Sequence, residues 1–201
     1  MKLFDNKDKY RKGQYSKPEY INAMHEIHSV LFEYAAFLKN TNIAKIEIQD
    51  DKVIMTFRDS GVHLICADND KRLALFDTLN FGAYESEELA MQMELIDANW
   101  NVFDVGGNYG WYSIHMAKKF PSAKIFTFEP IPHTYDYLNL NISLNNVNNV
   151  KSYNFGASDK EGSFVFYYDP TLSANASLKN VSGSSTVREL TCRVDTLDRF
   201  C

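Results

Sequence analysis

The residues of this 201-residue chain best suited to chemistry lie in one run, Val102-Phe103-Asp104-Val105-Gly106-Gly107-Asn108-Tyr109-Gly110. A short apolar strand ends on a carboxylate, and three glycines then let the backbone turn tightly into a helix. Lacking a Cβ, Gly106 and Gly107 permit positive φ and let a ligand approach the main chain. Spacing narrows the ligand. A dinucleotide fingerprint reads G-x-G-x-x-G, whereas glycines at 106, 107 and 110 fall one residue short between first and last. No Gly-Lys-Ser or Gly-Lys-Thr follows, so a phosphate loop is excluded as well. The carboxylate of Asp104 beside the turn would repel phosphate and favour an ammonium or sulfonium group. S-adenosylmethionine carries both cations. For the glycines taken alone, an ordinary βα turn is the alternative.

The second strand ends in Thr127-Phe128-Glu129-Pro130, and Glu129 follows Asp104 by 25 residues. At that separation an acidic side chain can accept hydrogen bonds from both hydroxyls of a ribose. By itself such a residue is more often a loop solubiliser or helix cap; beside the glycine turn, the ribose role is preferred. Pro130 or Ile131 would then form an apolar wall against adenine. After a third strand, Gly156-Ala157-Ser158-Asp159 offers backbone groups and short side chains to the adenine edge, with a plain turn as the equal alternative. No catalytic base is assigned. His133 lies at the ligand end of the sheet but reads as a solvated residue opening a helix. His115, His25, His28 and His63 fall on helix or strand faces. The run Tyr109, Trp111, Tyr112 reads as helix-to-sheet packing in preference to a substrate platform.

The elements that must position these groups follow from periodicity. Between residues 21 and 38, Ile21, Met24, Leu31, Phe32, Ala35 and Leu38 recur at helical spacing, and Pro18-Glu19 marks the start. Alternating residues from Ile43 to Leu75, with polar tips at Asp50-Asp51 and Ser60-Gly61, predict an antiparallel hairpin or meander. A helix from about Ser86 to Asp97 leads into a βαβ pattern: Val102 to Val105, Tyr109 to Phe120, Lys124 to Phe128, a helix opened by Pro132, and a strand from Val150 to Phe155. Beyond it, Phe164 to Tyr168 and Arg188 to Val194 predict an antiparallel pair around a mobile loop, Thr171 to Thr186. The expected class is therefore α/β with a Rossmann-like sheet, preceded by a helix and meander. The expected division places these first elements in residues 1–83 and the ligand-binding domain in 84–201.

Composition sets the outer limits. The chain is 45% hydrophobic and 23% charged, with a net charge of −5. It has the apolar content for a core, and its charge supplies no general attraction for nucleic acid. No apolar run approaches a membrane span, and the amino terminus lacks a secretory signal. Cys66, Cys192 and Cys201 lack metal-ligand spacing and read as cytosolic thiols, so a cytoplasmic protein without a metal site is expected. The glycan-acceptor patterns beginning at Asn141, Asn175 and Asn180 carry little meaning without a secretory route.

The ordered set Tyr84-Glu85, Asp104 to Gly110, Phe128-Glu129-Pro130, Asn145-Asn146, Ala157-Ser158-Asp159-Lys160-Glu161-Gly162 and Val194-Asp195-Thr196-Leu197-Asp198 resembles the FkbM-type methyltransferases. The resemblance implies a class I methyltransferase sheet binding S-adenosylmethionine, with oxygen on a sugar, polyketide or other small hydroxylated molecule as acceptor. It places Asp104, Gly106 and Asn108 at the methionine part and Glu129 at the ribose. Tyr84 and Glu85 would close over the methionine carboxylate or the substrate, or simply start a helix on the core. Relatives often carry alanine where Gly107 stands, a change expected to be harmless. The family continues past Asp195-Thr196-Leu197-Asp198 into a further strand, so the C-terminal half of the sheet is expected to be missing and the chain to be a fragment. An incomplete sheet makes a homo-oligomer plausible. The competing expectation is a non-catalytic binding or assembly module; a nicotinamide oxidoreductase is disfavoured by the glycine spacing. The acceptor, small molecule or glycan, is open.

Overall fold

A computed structural model describes residues 2–181 and 183–200. Cys201 and Ser182, which completes the third glycan pattern, lie outside the described residues. The chain divides into two compact units, Met1–Thr41 and Asn42–Cys201. In the first, α1 (Lys2–Arg11) precedes α2 (Lys17–Phe37). Ser16 starts α2 through a reciprocal capping box with Glu19, and Pro18 suits the first turn because its missing N–H would have no helical partner. Tyr10 and Tyr20 stack with ring centroids 4.6 Å apart. The short polar α1 covers little of the α2 stripe, and Leu31 and Phe32 stay exposed.

The second unit opens with the expected meander, β1 (Ile43–Gln49), β2 (Lys52–Phe57) and β3 (His63–Cys66), antiparallel in that order. Two helices follow, α3 (Ala74–Phe81) and α4 (Ser86–Leu95). The α/β part contains β4 (Asn101–Val105), α5 (Trp111–Lys119), β5 (Lys124–Phe128), α6 (Pro132–Leu144) and β6 (Val150–Tyr153). Its strands form a parallel sheet in the order β4-β5-β6, the arrangement of half a Rossmann-like fold. A third sheet joins β7 (Gly156–Ala157), β8 (Gly162–Tyr168) and β9 (Arg188–Asp195), with β9 in the middle. The last element is the short α7 (Leu197–Phe200).

The period-two alternation of the parallel strands gives the sheet two unlike faces. Ile125 on β5 packs with Val102 of β4 and with Met116 and Ala117 of α5. The opposite face is aromatic: Phe103, Phe126, Phe128 and Tyr153 all meet the ring of Phe200. Among the described residues no strand pairs with the outer side of β4, where Val105 is exposed. No helix among them is long and apolar enough to cross a membrane.

The compact units part between residues 41 and 42, whereas a boundary after residue 83 would separate the meander from the α/β elements. Two buried asparagines, Asn141 on α6 and Asn145 at its C-terminal cap, explain why these belong together. The Asn141 carboxamide accepts from Ile65 N–H on β3 at 2.9 Å and donates to Tyr109 C=O in the glycine turn at 2.8 Å. One turn later, Asn145 accepts from His63 N–H at 2.9 Å and donates to His63 C=O at 2.6 Å. A helix thus satisfies the free edge of β3 as a fourth strand would. Asn141 is fully buried, which leaves no room for a glycan.

Replacing Asn141 by alanine would strand a buried N–H and a buried C=O, and the expected loss is about 2–4 kcal/mol at ~1–2 for each orphaned group. Urea denaturation measures it. Asn141→Asp keeps the acceptor for Ile65 but sets a buried carboxylate against the Tyr109 carbonyl oxygen, so at neutral pH it should lose at least as much as Asn141→Ala.

Candidate functional site

The glycine turn hangs from the end of the central strand. Gly106 and Gly107 both donate N–H to the Phe128 carbonyl, at 2.9 and 3.0 Å. Gly106 has φ +88°, which excludes an ordinary side chain. Gly107 is needed for a different reason: its φ is unexceptional, but a Cβ there would overlap Thr127 Oγ1. The expectation that alanine is harmless at 107 is therefore corrected, because the neighbour is a fully buried β5 side chain. Gly110 closes the turn by donating to Gly107 C=O at 2.7 Å.

Glu129 holds the two sides of the turn together. Its Oε2 accepts from Asn108 N–H and its Oε1 from Ile131 N–H, each at 2.9 Å, and only 5% of the residue is exposed. Each carboxylate oxygen has a second lone pair, so two hydroxyl donors can still be received. Burial pushes the Glu129 carboxyl up to about 7; the two backbone N–H groups pull it down and nearby Asp104 adds to the rise. Asp104 lies on the helix-facing side of β4 and accepts from the Ser113 hydroxyl of α5. Burial raises its pKa too, against the stabilising effect of that hydroxyl.

Two cavities flank the turn, and Gly106 and Asn108 line both. The first, about 120 Å³, is bounded by Tyr84, Glu85, Gly107, Trp111 and Tyr112, with Leu64 and Ile65 from β3 and residues 72–75 at the start of α3. The second, about 230 Å³, is bounded by Glu129, Pro130 and Ala157, and by Phe166 and Ser173 across from them. Asp104, Gly110, Ile131 and Ser158 line neither. Ile131 is fully buried against Tyr168 and Cys192, and only its N–H reaches the site, through Glu129. Ser158 donates its N–H to Asp195 C=O at 2.9 Å and its hydroxyl to Asp159.

Residues 169–177 are anchored over the second cavity. Asp169 accepts from Thr171 and Thr186, and buried Ser173 donates its N–H to Asp70 at 3.2 Å while its hydroxyl lies 3.5 Å from Asn108 Oδ1. Part of the segment expected to be a mobile loop is thus a wall of the site. Neither this wall nor residues 72–75 was found from the sequence, because non-local hydrogen bonds place them and no periodicity marks them. The short helix α3 was also missed, although Leu75 and Leu79 lie one turn apart and Gly82, at φ +92°, ends it.

The histidines have structural surroundings. His115 is buried, with Nδ1 2.7 Å from Trp111 C=O and Nε2 3.0 Å from the Ser60 hydroxyl. Since a carbonyl only accepts, Nδ1 carries the proton, and burial lowers the pKa. His133 is exposed, edge-on to Tyr137. Trp111 packs on Phe57 and Tyr84 with centroids 4.8 and 5.4 Å away, so the aromatic run belongs to the core and also backs the first cavity. Among the described residues no group of three or more His, Cys, Asp or Glu is placed to hold a metal ion.

No protein-family model matches the chain. Methyltransferase sdnD of Sordaria araneosa is 38% identical over 84 residues, covering 41% of this chain and 32% of its own length. Methyltransferase 1 of Beauveria bassiana is 31% identical over 77 residues, covering 38% and 31%. The chain thus spans about a third of the length of these curated relatives. Among solved structures, Pyrococcus horikoshii TYW2 in complex with MeSAdo aligns at a TM-score of 0.41 and 20% identity, covering 73% of this chain and 53% of that one.

Two measurements test the geometry. Gly107→Ala should destabilise by about 1–3 kcal/mol through overpacking, and adding Thr127→Ala should recover part of the loss in a double-mutant cycle. Glu129 should also impose a pH slope. Between its ordinary 4.5 and about 7 the folded chain retains a proton that the unfolded chain has released. That contribution is complete below pH 4.5 and is lost as pH rises to 7, at up to ~1.4 kcal/mol per unit. Chemical denaturation at pH 5, 6 and 7 should show this fall in wild type relative to Glu129→Gln.

Proposed function

We propose that the paired cavities bind S-adenosylmethionine and that the chain is the cofactor-binding part of a methyltransferase of the FkbM type. The observation that carries this reading is the buried carboxylate of Glu129, fixed by two backbone N–H groups and facing a cavity that begins at a glycine turn. Ribose hydroxyls would use its remaining lone pairs, adenine would lie between Pro130 and Ala157, and the methionine arm would pass Gly106 and Asn108 into the first cavity. Ile131 and Ser158 support that arrangement through backbone contacts, and Asp104 supplies negative potential beneath it. Methyltransferase relatives at 38% and 31% identity support the same reading.

When bound, the cofactor supplies a methyl group activated by sulfonium. The chain's own task is to align that group and keep water away, which is most of what an in-line transfer requires. The acceptor proposed is a sugar, polyketide or other small hydroxylated molecule; this rests on the family resemblance. A hydroxyl acceptor also needs a base, and none of the five histidines is assigned that role.

Isothermal calorimetry with S-adenosylhomocysteine tests the assignment. Wild type should bind, and Glu129→Ala should bind at least about tenfold more weakly through loss of two charge-assisted hydrogen bonds. Equal affinities would remove Glu129 from the site.

A further inference from the structure

The two helices of the first unit are unequal, and the longer one is left half uncovered. Tyr10 stacks on Tyr20, and Lys2 and Asn6 share a groove with Ala23, Ile27 and Val30, so α1 runs antiparallel to the first half of α2 and stops beside Val30. Ten residues of helix reach about 15 Å, whereas the 21 residues of α2 reach about 31 Å. From Leu31 to Phe37 every residue is exposed, Leu31 at 63% and Phe32 at 74%. Beside the face that α1 covers lies a second row. Ile21, Met24, His28, Leu31 and Ala35 follow one another at alternating steps of three and four, the spacing of a seam between packed helices. An apolar row of this length on a helix without a partner marks a contact surface.

We propose that this row receives a second copy of the chain, the two α2 helices packing antiparallel about a twofold axis at His28. The register is self-complementary. Ile21 meets the partner's Ala35, Met24 meets the partner's Phe32, and symmetry repeats both contacts across the axis. Each large side chain thus faces a small or a pliable one. Charge favours the same occupant. α1 carries Lys2, Lys7, Lys9 and Arg11 against Asp5 and Asp8, whereas α2 carries Glu19, Glu26 and Glu33 against Lys17 alone. Antiparallel packing lays each basic α1 alongside the carboxyl-terminal half of the partner's α2, the half that α2's own α1 does not reach and where the helix dipole is negative. The acidity of α2 counts against an anionic bilayer. With Ile21, Leu31 and Phe32 each more than half exposed, the pair would bury roughly 1,000–1,200 Å² in all, the lower end of the area that a stable interface needs.

Sedimentation equilibrium of the full chain tests the proposal. Wild type should pass from 23.1 kDa to twice that mass with a Kd on the order of 10 μM, in keeping with so small an interface. Leu31→Glu and Phe32→Glu each set a charge against apolar surface and should weaken dimerisation at least about thirtyfold, while circular dichroism shows the helix content unchanged. The register has a readout of its own. Met24→Glu and Phe32→Lys should each be monomeric alone and should dimerise when mixed, because antiparallel packing brings Met24 of one copy to Phe32 of the other and a parallel pair does not. A wild type that stays at 23.1 kDa at about 100 μM overturns the proposal, and its capture by phosphatidylcholine vesicles would then assign the row to a bilayer. A dimer that Leu31→Glu and Phe32→Glu both leave unchanged overturns it too, as does a mixture that stays monomeric.

Discussion

The site depends on a carboxamide that itself lines neither cavity. Asn141 joins the N–H of Ile65 to the C=O of Tyr109, tying the last strand of the meander to the glycine turn through one side chain of α6. Because Asn141 has no exposed surface, its hydrogen bonds do not compete with water, and losing them would leave two backbone groups stranded in the interior. Leu64 and Ile65 form a wall of the first cavity where this link, with the Asn145 bonds to His63, holds β3 beside the turn. The meander is thus part of the wall around the turn.

The same economy appears on the other side of the turn. Asp70 and Ser173, far apart in sequence, meet beneath the surface, and Asp70 holds the N–H of Ser173 and that of Arg72 at once. One buried carboxylate therefore positions a wall residue of each cavity. Movement of either segment would disturb both, so the cavities behave as two ends of one container.

How much of this was legible in the sequence follows from the range of the forces involved. Strand, turn and helix from Val102 to Lys119 were readable because glycine positions and apolar periodicity are local signals, as was the start of α2 near Pro18-Glu19, although the Ser16 cap itself was not singled out. Glu129 stood out through its spacing from Asp104. The roles of Arg72, Asp70 and Ser173 were not readable, since each is defined by a partner or cavity distant in the chain. Asn141 was noticed only as part of a glycan pattern, and Asn145 only as the end of a helix and as part of a resemblance; a buried amide that imitates a strand edge leaves no local trace. The requirement for glycine at 107 also depends on a partner on the neighbouring strand, which φ alone would not reveal.

The electrostatics of the unliganded site run against stability. Glu129 is buried with no cation beside it, and Asp104 lies close enough to raise its pKa further. Two desolvated carboxylates under one turn weaken the fold when both are ionised. Such an arrangement is tolerable where a ligand relieves it. Hydroxyl donors stabilise the ionised form of Glu129, and positive charge above Asp104 lowers the cost of its burial. Glutamine at 129 would remove the cost of a buried charge there but, with a single acceptor oxygen, could receive only one of the two backbone N–H groups that Glu129 holds. What holds the two carboxylates in place against that cost is local: the Ser113 hydroxyl on Asp104, and the backbone N–H groups of Asn108 and Ile131 on Glu129.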